Sequence, residues 1–546
     1  MTPEIITSFG QLFTVPYIFE ILAVALVTGG TYLLALSSHF QVMQQSSYRT
    51  RAFVRVAVTG KTRVKDRLRL VTTLGFLTFL LFNFALSFWD HNAVSFVGFA
   101  PMLGFFAWFI ALERKRIQKV PLKNTARMIR LKILTAVLTF ALTFGLAVAG
   151  NAVAYAVKDG SVSVGRYLFV TLLPYVLPFV VCLANTLLLP LEKLLARKFI
   201  LRAKVAIKNS NAVVVGVTGS YGKTSVKNAL AVMLGKKFRV LATPASYNTP
   251  LGISRAVEGG MDGVQIFIAE MGARKVGDIA ELCAMTRPTI GVVTAVGKQH
   301  LQSFGSEENV RKAKGELPQS LPENGYAVFG EDEGCRALYS ECGVKKAFAP
   351  KIKNVQVGAE RTTFTLELAS GDVECSTTLL GKHNLQNLAL AAAVCEYFGM
   401  EKWEIAAGIS AVSAPEHRLQ RVQSANGVII DDSYNSNPVG ARCAIDALMQ
   451  FDGRKIVVTP GFVELGREEE NENYALGKAL AVCDKVYAVG LHRSKPLVRG
   501  LLEEGCEKQN IVVVASLEEA KEKLQKDAKD GDVILFLNDL PDAYEE

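Results

Sequence analysis

The sequence predicts a helical, membrane-spanning N-terminal region followed by an α/β part. Three observations carry this. Five uncharged apolar runs fill the first 200 residues, charge is unevenly distributed along the chain, and at Asn211 the texture changes to short β-branched runs alternating with helical stretches.

The apolar runs are Ile21–Ser38, Leu70–Phe88, Ala93–Leu112, Ile133–Val157 and Tyr167–Leu191. Crossing a ~30 Å hydrocarbon core takes roughly 20 helical residues. Four runs meet this, and the first does so with Tyr17–Glu20 added. Pro101, Pro174 and Pro178 lie inside spans and predict kinks. Only Glu20 approaches an intramembrane charge, so an anchor fits better than an ion pathway, with a lipid-binding groove left open. No Lys or Arg precedes Arg49, which argues against a cleaved signal peptide.

Charge sets the orientation. Eight basic residues lie between Arg49 and Arg69, eight between Arg114 and Lys132, and six between Lys193 and Lys208. The alternate loops carry none before the first span, none in Trp89–Asn92, and only Lys158 and Arg166 after the fourth. By the positive-inside rule the N-terminus is outside and everything after Leu191 is cytoplasmic. The net charge of +10 divides into +17 for residues 1–208 (24 Lys+Arg against 7 Asp+Glu) and −7 for the rest. The basic excess therefore flanks membrane rather than lining a nucleic-acid groove, and no nucleic-acid partner is expected.

Composition supports the division. Half of the 546 residues are hydrophobic, 21% are charged and mean hydropathy is +0.24, which excludes disordered, collagen-like and small disulfide-rich proteins. At ~150 residues per domain the length suggests three or four domains. The nine cysteines form no CxxC pair, so neither a zinc ribbon nor a thioredoxin-like motif is visible, and scattered thiols suit a reducing compartment.

The α/β part opens on a phosphate loop. Ala212–Val217 reads as a buried strand running into Gly216-Val-Thr-Gly-Ser-Tyr-Gly-Lys-Thr-Ser225 and then a helix. Glycines let backbone wrap a phosphate, and a helix N-terminus points amide donors at it. Gly219, Ser220, Gly222 and Ser225 would form the cradle, Lys223 would reach the β/γ-phosphates, and Thr224 would ligate Mg²⁺. Gly216 stands six residues before Gly222, one more than the strict Walker spacing.

This loop resembles that of the Mur ligase superfamily, the ATP-dependent amide ligases of cell-wall synthesis. Further segments carry the resemblance: Ile268-Ala-Glu-Met-Gly-Ala273, Gly277-Asp-Ile-Ala-Glu-Leu282, Arg287-Pro288, Gly297-Lys-Gln-His-Leu-Gln-Ser-Phe-Gly-Ser306 and Lys312-Ala-Lys-Gly-Glu-Leu317. Gly381-Lys-His-Asn-Leu-Gln-Asn387, Glu416-His-Arg418, Asp431-Asp-Ser-Tyr-Asn-Ser-Asn-Pro438 and Val463-Glu-Leu-Gly466 follow. Order and spacing look like the MurF type, which adds D-alanyl-D-alanine to UDP-MurNAc-tripeptide. The apolar runs imply a transmembrane anchor over 1–208, and the resemblance implies a central phosphate-loop ATP-binding domain over 209–415 and a C-terminal Rossmann-like domain over 416–546. The apolar runs and loop charges, taken with the resemblance, imply a multi-pass protein of the bacterial cytoplasmic membrane with cytoplasmic ligase domains.

What the resemblance implies for single residues follows the motifs. Glu270 and His300 would join Thr224 as ligands to two Mg²⁺ ions, and Lys314 would be carbamylated and support the second. Lys223, His300 and Lys314 form the catalytic set. Asn384, Asn387, Arg418, Asp432, Tyr434 and Asn435 would surround ATP, and Asn248 would lie in the substrate-side loop. The substrates would be a small-molecule or lipid-linked peptide carboxylate and an amino acid or dipeptide amine, with membrane lipids as surroundings.

The sequence also departs from the family. The apolar region stands where the family has a uridine-nucleotide-binding domain, Asn538–Tyr544 lacks a basic KGS-like stretch, and Thr459-Pro-Gly-Phe462 replaces a Gly-Asp-Met run. Alternatives are a poly-γ-glutamate-synthetase-like ligase, a non-catalytic scaffold for wall enzymes, and an ATP-driven transporter, which would require an LSGGQ-like signature that is not seen.

Overall fold

The computed structural model describes residues 15–59, 63–86, 100–114, 121–156, 167–297, 304–358, 360–424, 427–434, 438–463, 465 and 468–538. The chain divides into two compact units, with the boundary at Leu194/Leu195.

The first unit is helical. Its longer helices are Val15–Ala35, Arg63–Leu86, Ala100–Arg114, Ala126–Ala156 and Leu177–Asn209, the last running past the boundary. Three described segments are long and apolar enough to cross a membrane, namely Ile18–Ala35, Ala126–Val153 and Leu177–Asn209, and Ala100–Leu112 is a shorter apolar helix. The fifth apolar run is not one helix. Leu168–Leu172 passes into a 3-10 turn at Leu173–Tyr175, and a new helix starts at Leu177. Pro174 and Pro178 lie at the starts of the 3-10 turn and of the new helix, where the missing N–H of proline costs least, and this places the break.

Tyr32 sits at the centre of this unit, fully buried. Its hydroxyl donates to the Val170 carbonyl at 3.1 Å and its ring meets the edge of Phe106 at 5.2 Å. Glu20 is not isolated, since Tyr167 donates to its carboxylate at 2.6 Å. A polar cluster ties the helices elsewhere: Arg130 grips Glu192 through two bonds of 2.6 and 3.0 Å, and Arg127 lies 4.0 Å over the Tyr48 ring. The outside is apolar instead of polar, with Leu26, Leu81, Phe84, Trp108 and Ile133 all more than half exposed. An outer surface of this kind suits hydrocarbon better than water.

The second unit holds three sheets. Strands β1 (Val213–Thr218), β2 (Val240–Ala242), β3 (Ile266–Glu270), β4 (Ile290–Val293), β5 (Tyr326–Phe329) and β6 (Lys345–Phe348) form a parallel sheet in the order β2-β3-β1-β4-β5-β6. Both faces of the central strands β1, β3 and β4 are covered, which is why these three read as Val/Ile-rich runs without alternation. β7 (Lys351–Val357), β8 (Thr362–Leu368) and β9 (Gly371–Thr377) make an antiparallel meander. The third sheet runs β10 (Gln420–Ser424), β11 (Gly427–Asp432), β15 (Asp532–Leu537), β12 (Lys455–Thr459), β13 (Lys485–Val489) and β14 (Ile511–Val514), parallel except for the β10 edge.

Candidate active site

In open α/β sheets ligands bind beyond the carboxyl ends of the strands where the order reverses. Here β1 is flanked by β3 on one side and β4 on the other, and the register pairs Val217 with Glu270. The end of β3 therefore comes level with the start of the loop after β1.

That loop is folded tightly. Gly219 has φ +150°, and a Cβ there would run into Thr294 Oγ1. Gly222 has φ +78° and begins the helix Lys223–Leu234, and a Cβ there would strike Asn387 Oδ1. Both positions thus need glycine. The extra residue relative to the strict pattern is held by the segment after β4: the Ser220 amide donates to Ala295 O at 2.6 Å, and Thr294 donates to Tyr221 O. The Lys223 ammonium folds under the loop, donating to the Gly219 and Ser220 carbonyls at 2.6 and 3.0 Å. Burial pushes it down to about 8, while the Glu270 carboxylate pulls it upward and Arg418 adds to the lowering. Ser225 is half-buried in the first helical turn.

Glu270 is the hub, 1% exposed. Thr224 donates to its Oε2 at 3.0 Å and Asn248 Nδ2 to its Oε1 at 3.1 Å. Lys227, which the sequence reading passed over, pairs with Oε2 at 3.2 Å. Asn248, expected on the substrate side, therefore points at the carboxylate. Among the described residues no three His, Cys or acidic side chains converge. One carboxylate beside one hydroxyl fits Mg²⁺, which keeps most of its shell for phosphates and water.

Lys314 is 3% exposed on the helix Glu307–Gln319, with the Phe304 ring 6.0 Å from its ammonium. Burial, helped by the charge of Lys223, pushes it down to about 7. Two residues on, the Glu316 carboxylate accepts the backbone amides of Ile279 and Ala280 at 3.0 and 2.8 Å. That bond joins the Lys312–Leu317 and Gly277–Leu282 motifs, capping one helix with a residue of the other. His300 lies outside the described residues, as does Asn435.

Asn384 and Asn387 are buried in the helix Lys382–Tyr397, bonded to each other at 3.1 Å, with Asn387 against Gly222. The Asn384 side-chain amide donates to Leu380 O at 2.8 Å, and Gly381 caps the helix. Arg418 stacks 4.4 Å over the Tyr434 ring, and Tyr434 meets Ser246 at 2.9 Å. His417 and Leu419, on either side of Arg418, both have positive φ, a strained turn that non-glycine residues adopt mainly at functional sites. Asp432 accepts the Leu419 amide at 3.0 Å; burial pushes its carboxyl up to about 7 against the pull of that amide and Arg418. His417 pairs with Asp431 at 2.7 Å, another contact the sequence reading passed over.

A phosphate loop with its lysine and a buried carboxylate one strand away define a nucleotide-dependent enzyme of the phosphate-loop class. Residues 217–395 match the Mur ligase middle domain and 417–538 the Mur ligase glutamate ligase domain. The UDP-N-acetylmuramoyl-tripeptide--D-alanyl-D-alanine ligase of Escherichia coli (strain K12) is 34% identical over 290 residues, 51% of this chain and 64% of that protein. The ligase of the same name from Mycobacterium leprae (strain TN) is 32% identical over 362 residues, 59% of this chain and 70% of that protein. MurF ligase from Thermotoga maritima in complex with ADP shares the fold with a TM-score of 0.57 and 26% identity, covering 64% of this chain and 81% of that one. MurF from Acinetobacter baumannii gives a TM-score of 0.57 at 23% identity over 63% and 77%. The chain belongs to the Mur ligase family, and so to a family of ATP-dependent acid–amino-acid ligases. It spans about two thirds of the length of these curated relatives, and residues 1–216 lie before the first family match.

Proposed function

We propose that this chain is a membrane-anchored, MurF-like carbon–nitrogen ligase of cell-wall precursor synthesis. It joins a peptide carboxylate to an amino acid or dipeptide amine, with domains over 1–208, 209–415 and 416–546. The observation that carries this reading is the convergence of Lys223, Thr224 and Glu270 at the ends of β1 and β3 in a chain of this family. The substrate carboxylate attacks the γ-phosphorus of ATP and ADP leaves. The amine nitrogen then bonds to the acyl carbon, the C–O bond breaks with its electron pair leaving on phosphate, and the nitrogen gives up a proton. Lys223 swings from the Gly219 and Ser220 carbonyls onto the phosphates, which need charge neutralisation more than covalent help. Glu270 and Thr224 would hold Mg²⁺, which when bound offsets phosphate charge. Asn384, Asn387, Arg418, Asp432, Tyr434 and Asn435 hold the nucleotide, His300 and Lys314 support a second cation, and Asn248 orients Glu270.

Five spans with the N-terminus outside and the ligase part cytoplasmic complete the reading. Reporter fusions should place Trp89–Asn92 and Lys158–Arg166 outside and residue 546 inside. An external C-terminus would end the ligase reading, because ATP is cytoplasmic.

The acceptor is proposed to be a lipid-linked peptidoglycan precursor, and the apolar unit with its basic flanks favours it. Anionic lipid headgroups are attracted by ~1 kcal/mol per nearby basic residue, and confinement to the surface raises effective concentration. Steady-state kinetics on matched UDP-linked and lipid-linked tripeptides, with D-alanyl-D-alanine as amine, test it. Higher kcat/KM on the lipid-linked form supports the proposal. Equal or better turnover of the soluble form leaves a ligase that the helices merely localise. No turnover of either, with ATP still bound, points to the scaffold.

A further inference from the structure

Lys227 lies one turn beyond Lys223 on the loop helix, where a residue four positions on faces the same way. It is 1% exposed, an environment lysine occupies only when its charge is met. Two groups meet it: Glu270 Oε2 at 3.2 Å and the Ala245 carbonyl, to which its ammonium donates. Ala245 has φ +44°, a left-handed backbone that a non-glycine residue rarely takes, and this turn presents its carbonyl to the ammonium. The strap 243–248 is also fastened to Glu270 itself at two points, Thr243 Oγ1 accepting its backbone amide at 3.1 Å and Asn248 Nδ2 donating to its carboxylate at 3.1 Å.

The Glu270 carboxylate thus has three donors, Thr224, Asn248 and Lys227. A buried carboxylate stripped of its counter-charge is unfavourable, and its partner ammonium repels an incoming cation. A nucleotide's phosphates would offset that repulsion. From these contacts we infer that Lys227 is the resident counter-ion of the metal site: it holds Glu270 in place beforehand and makes divalent-cation binding conditional on bound nucleotide. This rests on the assignment of Glu270 as a metal ligand. Were Lys227 only aliphatic filler, methionine, similar in length and uncharged, would replace it without consequence.

The test uses the full chain in detergent, with Mn²⁺ as probe and free Mn²⁺ read by electron paramagnetic resonance, with and without ADP. Wild type and Lys227→Arg should bind Mn²⁺ weakly without ADP. Lys227→Met should bind it at least about tenfold more tightly without ADP, because the competing cation is gone, and the gap should narrow once ADP is present. Unchanged or weaker Mn²⁺ binding by Lys227→Met in both conditions overturns the inference. Stability gives a second readout. Lys227→Met should lower the metal-free melting temperature, and the double variant with Glu270→Gln, which removes both charges, should regain part of it. A double variant melting lower still would assign Lys227 to packing. Glu270→Gln alone should lose Mn²⁺ binding; retention would overturn the metal assignment itself. No acceptor is present, so failure of the ligase reading would appear in turnover and not here.

Discussion

Lys223→Ala is expected to reduce ATP-dependent ligation by at least about a thousandfold, the scale of several kcal/mol that a preorganised charge contributes to phosphoryl transfer. The lysine rests on the Gly219 and Ser220 carbonyls, so it stands where a β/γ-phosphate would enter. Removing it leaves the Gly219 and Ser220 carbonyls, both in buried residues, without that donor, so a stability loss of about 1–3 kcal/mol is expected alongside the loss of turnover. Glu270→Gln should be as inactive but is the poorer probe of chemistry. It strands Lys227, 1% exposed, without its ion partner, and breaking a buried pair costs about 3–5 kcal/mol. Phosphate release and melting temperature measured together separate the two effects. Near-normal turnover by folded Lys223→Ala would refute the assigned site.

Much of this site was legible because its residues announce themselves locally. The loop glycines are needed at Gly219 and Gly222 by positive φ and by close approach, and such constraints leave a spacing in the sequence. Glu270 could be read as a carboxylate closing an apolar run, since a buried parallel strand has no other use for one. The proline break in the fifth apolar run was legible for the same reason: Pro174 acts on its own backbone. Lys227 was not. Spacing alone makes a lysine four residues after another look like a solvated helix face, and only the crossing of β3 beneath the helix buries it. Nor was the turn at His417–Leu419, where non-glycine residues hold a left-handed backbone that no residue type signals. Asn248 was legible as a loop residue but its target was not, because that depends on where β3 ends.

Lys314→Ala is expected to be almost as damaging as Lys223→Ala. Among the described residues no carboxylate lies within hydrogen-bonding reach of its ammonium, and the aromatic face of Phe304 is close by. An ammonium in such a place is costly, and burial with the charge of Lys223 lowers the group to about 7, so near neutral pH a large share of it is the neutral amine. A neutral amine is the species that adds to CO₂: nitrogen bonds to the carbon, a proton leaves, and a carbamate anion remains. The site would then gain a negative charge beside Lys223 in place of a repelling positive one, which suits a second Mg²⁺ shared with the phosphates. Wild-type ligation should therefore fall in buffer purged of CO₂ and recover with bicarbonate. Lys314→Ala should lose about a hundredfold or more, on the scale of one removed electrostatic group, with partial rescue by a short carboxylic acid that fills the space. Recovery by bicarbonate in wild type but not in Lys314→Ala would tie the effect to this side chain. Full activity of Lys314→Ala without additives would reduce Lys314 to a buried packing residue and leave the second cation to other ligands.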